Sequence, residues 1–390
     1  MRALVANWSY PTQVRFGASR IKELPESLEA AGIARPLLVT DRGLARLKMT
    51  AATLDMLTAA GIPHAVFSDV KPNPTESNVN AGIEAFRAGQ HDGVIAFGGG
   101  SALDAGKLIA FMAGQTRPIW DFEDVGDWWK RANPSGIAPI IAVPTTAGTG
   151  SDVGRAGVVI NEATHTKKVI FHPLMMPKTV ILDPEQTVGM PPYITAGTGM
   201  DALAHSLEAY CSPAYHPMAD GIAVEGIRLV FKHLPRAFAD GSDIVARGHM
   251  MSAAAMGAAA FQKGLGAIHS LSHPVGALYD THHGMTNAVF MPYVLVTNRP
   301  AIEEKIKRLS AYLGIRPSFE AFLEALLKLR SDLKVPHTLA AFNVREEKRL
   351  QIADMAIIDP TAGGNPIELT RERALEIFDR AMEGELKSLL

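Results

Sequence analysis

Residues 264–287 read GLGAIHSLSHPVGALYDTHHGMTN and carry His269, His273, His282 and His283, four of the chain's thirteen histidines. His269 and His273 stand four apart, a spacing that puts two side chains on one face of a helix. An imidazole set among Gly, Ala, Leu and Val costs free energy unless its ring nitrogens find partners. A hydrogen bond or a divalent metal ion can supply them. Upstream, GMDALAHSLE at 199–208 repeats the pattern: Asp201 and His205 are also four apart, in a strongly helical segment. One carboxylate with several neutral imidazoles suits a borderline divalent ion such as iron(II), zinc, cobalt or nickel.

A second group of residues could hold a phosphate. The run Gly93–Phe97 reads as a strand that passes directly into Gly98-Gly99-Gly100-Ser101, with a helix expected from about Ala102. Glycine lets the backbone come close to an oxyanion, and the free N–H groups of a helix start point at it. The spacing is not G-x-G-x-x-G, and three glycines alone could be a tight turn. Asp104 and Lys107 follow on the new helix; taken alone they read as a surface carboxylate and a solvated lysine. The stretch PTTAGTGS at 144–151 is dense in hydroxyls and glycine. It could bind a phosphate or ribose, or be a turn whose hydroxyls cap its own backbone.

These groups need a frame to position them. The first half alternates β-branched runs with amphipathic helical patterns, the signature of a parallel sheet with crossover helices. Strands are expected over residues 35–40, ending at Asp41, over 64–67, 93–97 and 140–143, and over 180–182 before Asp183-Pro184. Residues 156–160 and 168–171 read as a hairpin. Pro72 and Pro74 force an extended loop, and Thr75 can cap the helix after it. After Pro191-Pro192 the texture changes, and helical periodicity dominates from Ala196 to the end of the chain. The expectation is an α/β domain over residues 1–185 and an all-helical domain over 186–390.

Composition narrows the function. A chain of 390 residues suits two domains, and 47% hydrophobic with 20% charged residues is ordinary for a globular protein. A net charge of −2 offers neither a stripe for nucleic acid nor a patch for a membrane surface. The single cysteine, Cys211, rules out an internal disulfide and a thiolate-rich zinc site. The first residues have no apolar core of signal-peptide length, and the Ala-rich run near 250–261 reads as a buried helix. A cytoplasmic location is expected. The segment around Gln13–Phe16 could pair with another subunit's sheet edge, which makes a homodimer or higher homo-oligomer plausible.

With these pieces in place the chain resembles the iron-containing (group III) alcohol dehydrogenase family over nearly its whole length. The matching motifs, in order, are PNPT at 72–75, GGGSALDAGK at 98–107, PTTAGTGS at 144–151, LDP at 182–184, TGMDALAHSLEAY at 198–210 and the histidine stretch. The resemblance implies a Rossmann-like NAD-binding domain, an all-α metal-binding domain and the architecture shared with dehydroquinate synthase. It implies oxidation of an alcohol, or reduction of an aldehyde or ketone, with NAD as hydride carrier and a divalent metal, iron(II) first, as Lewis acid. Carried over by position, the metal ligands fall on Asp201, His205, His269 and His283. His273 falls on a histidine near the metal, a proton relay or a support for the ligands, while His282 reads as exposed or structural. Nucleotide contacts fall on Gly98, Gly99, Gly100, Ser101, Thr145, Thr146, Thr149 and Lys167. Asn73 and Asp104 fall near the nicotinamide or substrate. Asp41 ends a strand where an adenosine ribose would lie, and a carboxylate there favours NAD over NADP. Runner-up readings are a glycerol dehydrogenase-like polyol oxidoreductase and a dehydroquinate synthase-like lyase.

Two departures bear on the substrate. Ala156 stands where many relatives carry a bulky aromatic, which leaves room beside the nicotinamide. Phe261-Gln262-Lys263 stands just before His269, and a lysine near a metal is unfavourable unless an anion joins them. Lys263, Ala156 and Phe261 are therefore expected to contact a substrate bearing a carboxylate, such as a short hydroxy acid or semialdehyde; the alternative is that Lys263 points out to solvent or pairs with a nearby acid.

Overall fold

The alternation of the first half folds into one twisted sheet in the computed structural model, which describes residues 6–8, 12–164 and 166–386. In chain order the elements are β1 (Ala6–Trp8), β2 (Gln13–Phe16), α1 (Leu24–Ala30), β3 (Pro36–Asp41), α2 (Lys48–Ala59), β4 (Ala65–Val70), α3 (Glu76–Ala88), β5 (Gly93–Gly98) and α4 (Gly100–Met112). They continue with β6 (Ile140–Pro144), the hairpin β7 (Ala156–Asn161) and β8 (Thr166–Phe171), and β9 (Thr179–Leu182). The sheet order is β1-β2-β9-β6-β5-β3-β4. Only the β1–β2 pair is antiparallel; every other neighbouring pair in that sheet is parallel. β5 and β6 are buried along their whole length, as central parallel strands covered by helices must be. Leu24, Leu28, Leu38, Leu57, Ile95, Phe97, Ile141, Val143 and Ile181 form a core on this sheet.

Register decides what the sheet presents. Phe97 pairs with Val143 and Gly98 with Pro144, so the glycine turn and the PTTAGTGS loop leave the carboxyl ends of neighbouring strands at one level. Ligands of open α/β sheets bind at such ends.

The remainder is helical: α5 (Pro192–Cys211), α6 (Pro217–Ala239), α7 (Ile244–Ala260), α8 (Ala267–Tyr279), α9 (His283–Tyr312), α10 (Phe319–Asp332), α11 (Arg349–Ile357) and α12 (Arg371–Glu383). Helix α5 is buried almost without interruption from Thr195 to Cys211, and α6, α7 and α9 pack around it. A helix apolar on all sides belongs in the centre of a bundle. The chain divides into two compact units: residues up to Thr146 with Gly150–Gly189, and Ala147–Thr149 with residues from Met190 onward. No helix among the described residues is long and apolar enough to cross a membrane.

The structure differs from expectation in three places. Helix α4 starts at Gly100 rather than near Ala102, so only Gly98 and Gly99 make the turn. Helix α5 starts at Pro192, earlier than the periodicity suggests, because proline at the first helical position gives up no hydrogen bond. β2 is not a sheet edge: it is paired with β1 on one side and β9 on the other, so its own chain takes the contacts expected of a partner.

Candidate metal centre and cofactor loop

In the first unit, Gly98 has φ +147°, and a Cβ on it would lie 2.7 Å from Ala102 Cβ and 3.1 Å from Leu44 Cδ1. Only glycine fits there. Gly99, Gly100 and Ser101 are half-exposed. The first N–H groups of α4 have no intrahelical acceptor, so the turn is a ready anion cradle. Ser101 Oγ donates to the Pro72 carbonyl, which ties the PNPT loop and its half-buried Asn73 to this helix start. Thr75 caps α3 in a reciprocal box with Asn78. The buried Thr145 donates its N–H to Gly98 O at 2.9 Å. Thr146 Cγ2 would lie 3.3 Å from a Cβ on Gly99. Asp41 accepts from the N–H groups of Gly43 (2.8 Å) and Leu44 (2.9 Å), both on Oδ1. Lys167 lies on β8, level with Ile160 of β7, and Thr149 groups with the second unit.

Asp104 and Lys107 are neither surface nor solvated groups. Lys107 is 1% exposed, and its ammonium donates to Ser151 O (3.0 Å) and Ala156 O and lies 3.3 Å from Asp104 Oδ1. Asp104 accepts from Ser151 Oγ at 2.5 Å and from the Val158 N–H at 3.1 Å. Both of its oxygens are engaged in fastening the end of the PTTAGTGS loop and β7 to α4. These contacts give Asp104 a framework role beside the nicotinamide or substrate contact that the resemblance implies for it.

In the second unit, α5 carries Asp201 and His205 one turn apart, α8 brings His269 and the first residue of α9 is His283. The helices meet closely because of glycine: a Cβ on Gly284 would lie 2.0 Å from Gly197 O and 3.0 Å from Asp201 Cβ. Around Asp201 Oδ1 stand His283 Nε2 at 3.4 Å, His269 Nε2 at 3.7 Å and His205 Nε2 at 3.9 Å. Ligands about 2.1 Å from one tetrahedral ion are themselves about 3.4 Å apart, so the donor set has the size of a coordination shell. Asp201, His205 and His269 are all buried, with ligand atoms within 4.8 Å of one another. Asn287 Nδ2 lies 2.8 Å from Asp201 Oδ1, 3.2 Å from His283 Nε2 and 3.3 Å from His269 Nε2. One amide with two hydrogens cannot serve three acceptors, and a cation fits this excess of lone pairs.

The same groups also shift one another's protonation. Burial opposes the charge of Asp201, yet His205, His283 and His269 hold its carboxyl far below the usual range. Burial lowers His205 to about 4, which keeps it a neutral ligand. Burial also works against a charged His269, but Glu208 and Asp201 outweigh it and raise that ring to about 9.

The comparisons with known proteins cover the same ground. The sequence profile described as iron-containing alcohol dehydrogenase matches residues 11–184, and the C-terminal profile of that family matches residues 195–382. The chain belongs to the iron-containing alcohol dehydrogenase family. The chain is 36% identical over 383 residues to a 4-hydroxybutyrate dehydrogenase of Cupriavidus necator, covering 96% of this chain and 99% of that one. The crystal structure of a 1,3-propanediol oxidoreductase superposes with TM-score 0.91 at 34% identity, covering 98% and 100% of the two chains. The structure of sulfoacetaldehyde reductase from Bifidobacterium kashiwanohense in complex with NAD+ superposes with TM-score 0.87 at 29% identity, covering 99% and 100%. The enzyme is an oxidoreductase acting on CH–OH groups, of a family that uses NAD(H) and iron.

Other residues of this dehydrogenase surround the donor set. His273 Nδ1 lies 2.8 Å from Asp359 Oδ2, and its ring stacks on His283 with centroids 5.4 Å apart. Phe261 packs on His205, with ring centroids 5.1 Å apart. His282 is structural: it caps α9, its Nδ1 accepting from the Met285 N–H at 3.4 Å, and meets Tyr193 edge-on. Ala156 begins β7, and its carbonyl serves Lys107. Lys263 corrects an expectation. It is 6% exposed, and its ammonium pairs with Asp220 at the start of α6 and donates to Tyr210 O at 3.3 Å. The anion that the lysine required is Asp220, so Lys263 gives no reason to expect a substrate carboxylate.

Three contacts escaped the sequence reading: Glu208, Asn287 and Asp359. Glu208 stands seven after Asp201 and Asn287 four after His283, so both share a helix face with a ligand, a signal that was there to be read. Asp359 follows α11, far along the chain from His273, and no spacing connects the two.

Proposed function

We propose that this chain interconverts a short primary alcohol and its aldehyde with NAD(H), assisted by one divalent ion, iron(II) first, held by Asp201, His205, His269 and His283. The observation that carries the reading is the single carboxylate oxygen with three imidazole nitrogens 3.4–3.9 Å from it in a buried helical interior. A divalent ion in that setting supplies Lewis acidity, lowering the pKa of an alcohol hydroxyl, and NAD supplies the hydride acceptor. The cofactor's phosphates would take the Gly98-Gly99 turn and the start of α4 at Gly100-Ser101. Asn73, Thr145, Thr146, Thr149 and Lys167 would supply further contacts, and Asp41 would accept from the adenosine ribose. Asp359 fixes His273 at Nδ1, which leaves Nε2 to take the alcohol proton and the quarter-exposed side chain (25%) to pass it to water. Phe261, packed on His205, would contact the substrate at the metal centre, and Ala156 would leave room beside the nicotinamide.

The substrate is proposed to be a short chain with a second polar group at its far end. The support is the names of relatives: a 4-hydroxybutyrate dehydrogenase and a 1,3-propanediol dehydrogenase, each 36% identical. A homodimer or higher homo-oligomer and a cytoplasmic location complete the proposal. For the oligomer, β1 is one edge strand of the sheet and β4 the other. The deciding experiment follows NADH absorbance with succinic semialdehyde, 3-hydroxypropanal and butanal, using enzyme loaded with iron(II), zinc or magnesium. Turnover of the bifunctional aldehydes at least about tenfold above butanal in kcat/KM is expected with iron(II) or zinc. Absence of NADH oxidation with every metal ends the proposal.

A further inference from the structure

Asp201, His205 and Glu208 stand at one, five and eight along the same stretch of α5, a spacing that aligns three side chains on one helical face. The first two face the donor set; Glu208 reaches α8 instead. It is 7% exposed, and its two carboxylate oxygens each meet a donor from consecutive residues. Oε1 accepts from the Ile268 N–H at 2.6 Å, and Oε2 lies 2.5 Å from His269 Nδ1. The Ile268 N–H is one of the orphan donors in the first turn of α8, so Glu208 caps that helix from outside it. Gly266 leaves room for this: a Cβ there would lie 3.2 Å from Glu208 Oε1 and 2.8 Å from Asn365 Oδ1.

The bond to Nδ1 has a consequence for the opposite nitrogen. A carboxylate accepts only, so Nδ1 must carry a hydrogen. A neutral imidazole with its hydrogen on Nδ1 has its lone pair on Nε2, the atom 3.7 Å from Asp201 Oδ1. We propose that Glu208 is a positioning residue of the metal centre: it selects the tautomer and ring orientation of His269 that a metal can use. It also sets the charge, since Asp201 and Glu208 together match the two charges of a divalent ion, and the buried cluster becomes neutral when loaded. This inference rests on the metal centre proposed above.

Two variants separate it from a purely structural cap. In Glu208→Gln the amide has one acceptor and one donor facing two donors. If its oxygen serves Ile268, its NH2 faces His269 Nδ1 and forces the hydrogen to Nε2, where it blocks the metal. Glu208→Ala removes the carboxylate without imposing the wrong tautomer. Metal-stripped full-length protein is titrated with cobalt(II) and zinc(II) against a chromophoric chelator, and metal-free melting temperatures are recorded alongside. Glu208→Gln is expected to weaken metal binding by about 10–100-fold, and more than Glu208→Ala does, although glutamine keeps the shape. A cap or packing role predicts the reverse order, with alanine worse in both affinity and melting temperature. Affinities within about twofold of the unaltered protein for both variants, or alanine worse than glutamine, would overturn the proposal. Should Glu208→Ala not fold, the cobalt(II) visible bands of Glu208→Gln decide: unchanged bands and affinity refute it, shifted bands with weakened affinity support it. If the unaltered protein itself fails to bind about one equivalent, the metal centre falls, and this inference with it.

Discussion

Two buried polar clusters, one in each unit, both hold two carboxylates and ended differently. In the first, Lys107 sits among Asp104, Asp152 and two backbone carbonyls, and nearly every charge and donor is answered from within. In the second, two carboxylates, three imidazoles and an amide leave more lone pairs than hydrogens. The first is closed and holds a loop in place; the second is open and asks for a cation. Closure separates framework from function here better than burial does, since both clusters are largely buried.

The largest test of that contrast removes a ligand from the open cluster. Asp201→Ala or His205→Ala is expected to lose bound metal and at least about 10³-fold in kcat/KM while the metal-free protein melts near its original temperature. Elemental analysis and NADH turnover check it; a variant that keeps metal and a tenth of the activity would merge the two clusters into one kind.

Opening the closed cluster should have the opposite signature. Lys107→Met leaves Asp104 and the buried Asp152 without their cation, a change that costs about 3–5 kcal/mol in buried pairs. Stability should fall by that order, with the metal content of the folded fraction unchanged, and Lys107→Met/Asp104→Asn should recover part of the loss. Denaturant titration measures both.

A smaller effect of the same cluster is its pH dependence. Burial raises the Asp152 carboxyl from 3.8 to about 6, with its own backbone bond and Lys107 acting against the shift. A folded-state value above the unfolded one means the folded protein holds the proton more tightly. That contribution is complete below about pH 4 and is lost as pH rises through about 6, up to about 3 kcal/mol in all. Asp152→Asn should therefore match the unaltered protein at pH 4 and gain on it at pH 7. A constant difference across that range would show that Asp152 is not the group that titrates.

Smaller again is the effect expected at Asp41. Asp41→Gly should move the ratio of NADH to NADPH turnover by about tenfold toward NADPH, because the carboxylate both accepts from a ribose hydroxyl and repels a phosphate. Faster turnover of NADPH by the unaltered enzyme would remove the argument.

How much of this was legible in the sequence follows from how local each contact is. The strands, the glycine turn and the Asp201/His205 pair depend on neighbours within a turn or a pleat, and they could be read directly. Which face of α4 would be buried could not, so Lys107 looked solvated; nothing near it in sequence announces Ser151 or Ala156. Asp359 reaches His273 across 86 positions, a pairing that only the fold creates. β2 looked like an exposed edge because the three-residue strand that covers it, β1, is too short to carry a pattern.

Lys263 is where local reasoning was most exposed, and it supplies the smallest expected effect. The sequence placed a cation six residues before a metal ligand and correctly required an anion for it. The fold supplies that anion from α6, and the ammonium is wholly buried (0%) while Asp220 keeps about a third of its side chain exposed (34%). A substrate carboxylate would have to displace a carboxylate already in place and reach an ammonium that water does not touch. Lys263→Met should thus change KM for succinic semialdehyde and for butanal alike, with the ratio of the two shifted by less than about twofold. Its main consequence should be on stability, since Asp220 can regain water on its exposed side while the methionine fills the buried volume. A tenfold rise in KM confined to the semialdehyde would mean that the Lys263–Asp220 pair opens in the working enzyme. The closed pair would then be the free protein's way of storing a substrate-binding cation, and closure would no longer mark framework.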